Sequence, residues 1–130
     1  MSKKLKILIV EDDPVVRLMT FKQLARLGME SATVGTGEEA VDYDRTEIGL
    51  IFMDIGLPGI DGINATMRIR EKELQEGCKR VPIVALTAHS DRARCILAGM
   101  DDFLQKPALL ADFKRIIEKW MASSNGSGSS

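Results

Sequence analysis

The sequence predicts an α/β fold: a doubly wound, five-stranded parallel sheet with helices on both faces. Three observations predict it. Short apolar, β-branched runs alternate with segments whose apolar residues recur at helical spacing, and the pair occurs five times. The runs are nearly continuous in hydrophobicity, as strands buried on both faces must be. No sequence motif repeats beneath the alternation, so it makes one domain and not an array.

Residues 5–10, LKILIV, form the first buried strand. Residues 14–27 form an amphipathic helix that opens on Pro14 and closes on Gly28. A weaker strand at 30–34 and a short helix at 37–45 follow, then a buried strand, LIFM, at 50–53. The helix at 63–76 ends at Gly77, the strand PIVAL occupies 82–86, and Gly99 stops a helix at 91–98. A short strand at 101–105 and an amphipathic helix at 109–122 complete the domain, expected over residues 1–122. Residues 123–130, SSNGSGSS, have no hydrophobic periodicity and read as a flexible tail or an expression remnant.

Composition narrows the function. The 130 residues are 45% apolar and 28% charged, with a formal net charge of −1, which suits a soluble domain. There is no basic excess to attract nucleic acid or an anionic membrane surface. The apolar runs are too short to span a bilayer, and the opening MSKKLKILIVEDD turns acidic too soon for a targeting signal. Cys78 and Cys95 have neither metal-ligand nor disulfide-framework spacing, which fits thiols in a reducing cytoplasm. His89 is the sole histidine, so histidine metal sites and Ser-His-Asp triads have little to draw on.

The polar residues that remain collect at strand ends. Glu11, Asp12 and Asp13 follow the first strand, Asp54 the third, Thr87 the fourth and Lys106 the fifth. Open α/β sheets bind ligands beyond the carboxyl ends of their strands, where the strand order reverses. An order of 2-1-3-4-5 puts strands 1 and 3 side by side there. Clustered carboxylates repel, and a divalent cation removes that repulsion. An all-oxygen donor set favours Mg²⁺, which leaves positions for water and phosphate oxygens. Lys106 adds a point charge and Thr87 a hydroxyl, so the pocket suits a phosphoryl group, with Asp54 as an oxygen nucleophile.

Each residue also has a plainer explanation. Asp13 before Pro14 is a good helix N-cap, Thr87 can end a strand, Lys106 can be a solvated lysine, and Asp54 can start an Asx turn. Taken singly, capping and solvation account for nearly all of them. Their joint placement at the ends of four strands is what they do not account for.

On these residues the chain resembles the receiver domains of bacterial two-component response regulators. ILIVEDDP matches the acidic pair after strand 1, and IFMDIGLPGIDG the phosphorylated aspartate with its following proline and Asp-Gly. PIVALTAH matches the Thr/Ser strand and DDFLQKP the final lysine-proline. The resemblance covers about residues 4 to 122 and implies the flavodoxin-like order 2-1-3-4-5.

It implies that Asp54 accepts a phosphoryl from a phosphohistidine of a histidine kinase or histidine-phosphotransfer protein. Asp12 and Asp13 would bind Mg²⁺ with Asp54 and the backbone carbonyl of Gly56, with Glu11 extending the acidic patch without ligating. Lys106 would pair with the phosphoryl, its bond to Pro107 cis. Thr87 would move to the phosphoryl and Phe103 would turn inward, reshaping the surface of roughly residues 90–98, 101–105 and 109–122. Val15, Leu18 and Met19, at the start of the first helix, are candidate partner contacts, although some of them must belong to the core.

Two features depart from the common pattern. Phe103 stands where tyrosine is usual, which removes any hydrogen bond of that hydroxyl. Gly56 and His89 hold the positions that flank the phosphoryl and are candidates for tuning its lifetime, His89 being as well explained by simple exposure at a helix start.

The resemblance implies a cytoplasmic phosphoacceptor, not an enzyme, monomeric or dimerising on phosphorylation, with no direct nucleic-acid or membrane contact. A stand-alone phosphorelay protein and a receiver belonging to a hybrid kinase both fit it. A dehalogenase-like phosphatase would need a second aspartate where Gly56 stands. A nucleotide-binding domain would need glycines where VEDDP stands, and a pseudo-receiver would lack one of the site residues.

Overall fold

The computed structural model describes residues 5–88 and 92–121. In chain order the elements are β1 (Lys6–Val10), α1 (Pro14–Arg26), β2 (Ser31–Val34), α2 (Gly37–Asp42) and β3 (Ile48–Asp54). Then come α3 (Gly62–Glu76), β4 (Ile83–Thr87), α4 (Arg92–Ala98), β5 (Asp102–Gln105) and α5 (Leu110–Trp120). The tail at 123–130, together with Ala122, Ser90 and Asp91, lies outside the described residues.

All five strands are parallel and run in the order β2-β1-β3-β4-β5. Alternation along the strands divides the core in two. Leu8, Val10, Ile51, Met53, Ile83 and Ala85 face α2, α3 and α4, where Ala40, Ile69 and Cys95 meet them. Ile7, Ile9, Leu50, Phe52, Val84 and Leu86 face α1 and α5, where Leu24, Phe113 and Ile116 meet them. Phe52 meets Phe113 edge to face, with ring centroids 5.1 Å apart and planes at 89°.

Most boundaries move by a residue or two from the sequence reading, so that Asp54 and Thr87 close their strands, and two of the shifts have clear physical reasons. β3 starts at Ile48, not Leu50, because Gly49 belongs to the strand. A Cβ on Gly49 would stand 2.9 Å from Leu5 and 3.1 Å from Met121, so the glycine keeps the strand close-packed. α2 ends at Asp42, not residue 45, because Tyr43 is extended (φ −64°, ψ 138°). Arg45 then folds back, its Nη1 donating to Val41 O at 2.9 Å and Tyr43 O at 3.2 Å, which satisfies the helix end.

α1 carries its apolar residues in an unexpected direction. Only Thr20 and Leu24 are buried, while Val15, Leu18, Met19 and Phe21 are exposed. An apolar patch kept in water on a helix is a mark of an interaction surface.

A polar cluster ties the amino end of β4 to α3. Arg70 is only 11% exposed and uses its whole fork: Nε donates to Gly99 O (2.9 Å), Nη1 to Glu73 Oε1 and Val81 O (both 2.8 Å), and Nη2 to Asp101 Oδ2 (2.7 Å). Glu73 accepts from Val81 N and Asp101 from Ile83 N, so both carboxylates are satisfied as well as paired. At the seam of β5 and α5, Asp102 Oδ2 accepts from Trp120 Nε1 (3.1 Å) and Lys119 Nζ (3.0 Å). Burial raises the Asp102 carboxyl, but these two donors and the Phe103 amide outweigh it and hold the group below the usual range.

Candidate functional site

Strand order brings the polar strand ends together. β1 and β3 are neighbours, so Glu11 and Asp12, just past β1, lie beside Asp54, the last residue of β3. Thr87 is the last residue of β4 and Lys106 the first beyond β5. Ligand atoms of Glu11, Asp12 and Asp54 all lie within 4.8 Å of one another. Glu11 and Asp54 are buried, whereas Asp12 faces solvent. Lys106 Nζ sits between the buried pair, 3.1 Å from Glu11 Oε1 and 3.1 Å from Asp54 Oδ1.

The charges shift as this packing requires. Burial pushes the Glu11 carboxyl up and Asp54 adds to it, against the Asp13 amide and Lys106. For Lys106 burial works the other way, but Asp54 and Glu11 more than offset it and keep the ammonium charged.

The acidic set differs from the expected one. The sequence reading put Asp13 with Asp12 and left Glu11 outside; the structure brings Glu11 in and turns Asp13 away. Asp13 is exposed and is the N-cap of α1, its Oδ1 accepting from Val15 N (2.8 Å) and Val16 N (3.3 Å). The Asp-Pro step at a helix start carried that signal. Arg17, which sequence reasoning did not single out, steadies the loop by donating from Nη1 to Glu11 O at 2.9 Å.

Three carboxylates with no sulfur or nitrogen donor form a hard-oxygen set that fits a small divalent cation. Beside them Gly56 leaves open space: a Cβ there would meet only Asp54 Oδ1, at 3.9 Å. The Gly56 amide donates to that same oxygen at 3.1 Å. Thr87 is buried, and its carbonyl accepts from Lys106 N at 2.7 Å. The Lys106–Pro107 peptide bond is cis. Phe103 is half-buried against the α2–α3–α4 side of the core, with the Arg92 guanidinium 5.5 Å from its ring centroid. His89 lies outside the described residues.

The segment after Asp54 is held by α3. Asp61 caps that helix, its Oδ1 accepting from Asn64 N at 2.8 Å. Gly62 presses on the end of β3: a Cβ there would collide with the Asp54 carbonyl oxygen and stand 2.9 Å from Ile55 Cα. Gly62→Ala is expected to cost about 1–3 kcal/mol through this overpacking, read as a lower urea midpoint. A variant as stable as the parent would show that α3 can slide away.

Val15, Leu18 and Met19 are 65%, 53% and 58% exposed and lie on the same end of the molecule as the cleft. A groove of about 450 Å³, lined by Val16, Met19, Pro107, Leu109 and Phe113, leads from this helix to Lys106. Among the described residues no helix is long and apolar enough to cross a membrane.

Known proteins share this fold. The family model described as "Response regulator receiver domain" matches residues 7–118. "Hybrid signal transduction histidine kinase L" of Dictyostelium discoideum is 35% identical over 127 residues, covering 92% of this chain and 7% of that protein. The receiver domain of Saccharomyces cerevisiae Ssk1, solved in complex with the histidine phosphotransfer signaling protein Ypd1, is represented by a structure that superposes with TM-score 0.87 at 32% identity, covering 95% and 93% of the two chains. The receiver domain of the sensor histidine kinase PA1611 from Pseudomonas aeruginosa, with a magnesium ion in its active-site cleft, gives TM-score 0.80 at 40% identity, covering 93% and 100%.

These relatives come from eukaryotes as well as bacteria, so the fold is not a bacterial property. This chain spans only 4–14% of the length of the curated relatives it matches. With a matching family model over most of its length and the strand order that goes with it, the chain belongs to the response regulator receiver domain family of two-component signalling.

Proposed function

We propose that Asp54 is a phosphoacceptor that takes a phosphoryl group from a phosphohistidine, the P–N bond breaking as an Asp54 O–P bond forms and the imidazole leaving with the bonding pair. One observation carries the reading. Asp54 is buried, yet it is lodged among two other acids and a shared lysine at the mouth of the sheet. Stability alone would not favour that arrangement of like charges.

Glu11, Asp12 and Asp54, with the Gly56 carbonyl, are the residues that would hold Mg²⁺. When bound, the cation would neutralise charge between the acids and the phosphoryl oxygens. Lys106, already touching Asp54, transfers its contact to the phosphoryl. Thr87 donates its hydroxyl to the phosphoryl, and the Phe103 ring follows into the space it leaves. The open side at Gly56 admits water to the acyl phosphate, so Gly56 and His89 are the positions from which its lifetime is set.

The partner is a histidine kinase or histidine-phosphotransfer protein that docks on Val15, Leu18 and Met19. Their exposure on α1 beside the cleft supports this, as does the phosphotransfer complex of the yeast relative. The domain acts as a phosphoacceptor and not as an enzyme on a separate substrate, either within a hybrid kinase or as a separate relay protein. It works as a monomer or as a dimer formed on phosphorylation. Neither cysteine is in a disulfide, which agrees with a cytoplasmic location.

The test is intact mass after incubation with acetyl phosphate. One phosphoryl adduct is expected with Mg²⁺, and none after chelation. An adduct that forms equally well in chelator would defeat the metal assignment.

A further inference from the structure

Glu11 supplies one carboxylate of the acidic cluster and directly precedes Asp12, which supplies another. Its backbone is held from two sides. The Glu11 amide donates to Val34 O at the end of β2 (3.1 Å), and its carbonyl accepts from Arg17 Nη1 (2.9 Å). Arg17 grips this turn twice, because its own amide donates to Asp13 O at 2.8 Å. The half-buried guanidinium also lies against the loop that follows β2: a Cβ on Gly35 would stand 3.0 Å from Nη1. Gly35 has φ outside the left-handed region, so no turn requires a glycine there. What its missing side chain provides is room for Arg17.

We propose that Arg17, seated in the gap left by Gly35, is a positioning residue for Mg²⁺ binding that fixes how Glu11 and Asp12 enter the cleft. Three neighbouring acids repel one another, and a turn free to give would let them spread. Arg17 resists through the backbone, so the carboxylates stay close enough to share one cation. The inference rests on the reading of Glu11, Asp12 and Asp54 as the metal-holding set, and adds what keeps two of them in place. Charge and position predict opposite signs here. A guanidinium beside a cation site repels the cation, so deleting it tightens binding if charge is all that matters. If position outweighs charge, deleting it weakens binding.

Isothermal titration calorimetry of the full chain with magnesium chloride reads the dissociation constant, beside urea unfolding without metal. Wild type is measured first. A wild-type chain that binds no Mg²⁺ defeats the metal reading, and the proposal with it, and is recognised at that step. With binding shown, Arg17→Ala is expected to weaken Mg²⁺ about three- to ten-fold, the loss of one hydrogen bond that holds the ligands. Arg17→Lys, which keeps the charge and one donor, should recover part of that loss. Gly35→Ala leaves Arg17 in the chain but crowds its guanidinium. It should weaken binding about two-fold or more alone and add nothing once Arg17 is alanine, because the two act through one contact. Unchanged or tighter binding by Arg17→Ala would overturn the proposal, as would additive losses from the two substitutions. A lower urea midpoint with an unaltered dissociation constant would overturn it too, leaving Arg17 a purely structural residue.

Discussion

Asp54→Asn is expected to take up no phosphoryl group from any donor, while folding as the parent does. The amide has the shape of the carboxylate but not its nucleophilic oxygen, and no other acid in the cleft can replace it. Asp12 lies at the solvent edge, and Glu11 is engaged by Lys106 and by the Asp13 amide. The fold should not suffer. Two buried acids share one ammonium, so removing one leaves Lys106 paired with Glu11 and relieves a like-charge contact. The melting temperature should therefore equal or exceed that of the parent. Intact mass with acetyl phosphate and Mg²⁺, beside a thermal melt followed by circular dichroism, checks both halves. An adduct on the variant would place the acceptor at another residue.

Arg70→Ala should be the most damaging single change to the fold. It strips the buried counter-charge from Glu73 and Asp101, whose side chains are 6% and 12% exposed, and removes one donor each from Val81 O and Gly99 O. Breaking a buried pair by deleting one partner costs about 3–5 kcal/mol, because the remaining charge stays buried. Against a total of about 5–15 kcal/mol for a domain, that is a large share. Arg80 softens the loss at Asp101 and at Gly99 O, from a more exposed position. Arg70→Lys should recover little, since an ammonium cannot serve four directions with a planar fork. Urea unfolding followed by circular dichroism measures it; a loss under about 1 kcal/mol would mean that water takes the place of the guanidinium.

The sheet was legible because its signal is redundant. Five apolar runs, each between helical segments, leave little choice of class, and the packing of both sheet faces follows from alternation along those runs. The site was legible as a set of strand ends, but not down to each carboxylate. Glu11, Asp12 and Asp13 are consecutive acids of similar chemistry, and which of them enters the cleft depends on how the turn after β1 is closed. The Asp13 cap on Val15 and Val16 decides that, and it removes Asp13 from the cluster.

The expectation that some of Val15, Leu18 and Met19 belong to the core failed for a related reason, since all three are exposed. Helical spacing of apolar residues shows that they share a face, and does not show that the face is covered. Arg70 and Asp101 were not legible at all: they are 31 positions apart, and no local pattern announces a pair that meets only after α3, β4 and α4 are assembled.

The contact between Asp102 and Trp120 has a practical consequence. Trp120 is the only tryptophan, and its indole N–H is bonded to the residue immediately before Phe103. Ultraviolet emission of this protein therefore comes chiefly from a chromophore wired to the strand that carries Phe103, the ring proposed to move. On the proposed reading the molecule contains its own optical gauge, and the arrival and loss of a phosphoryl group would be timed in a stopped-flow cell with no label attached.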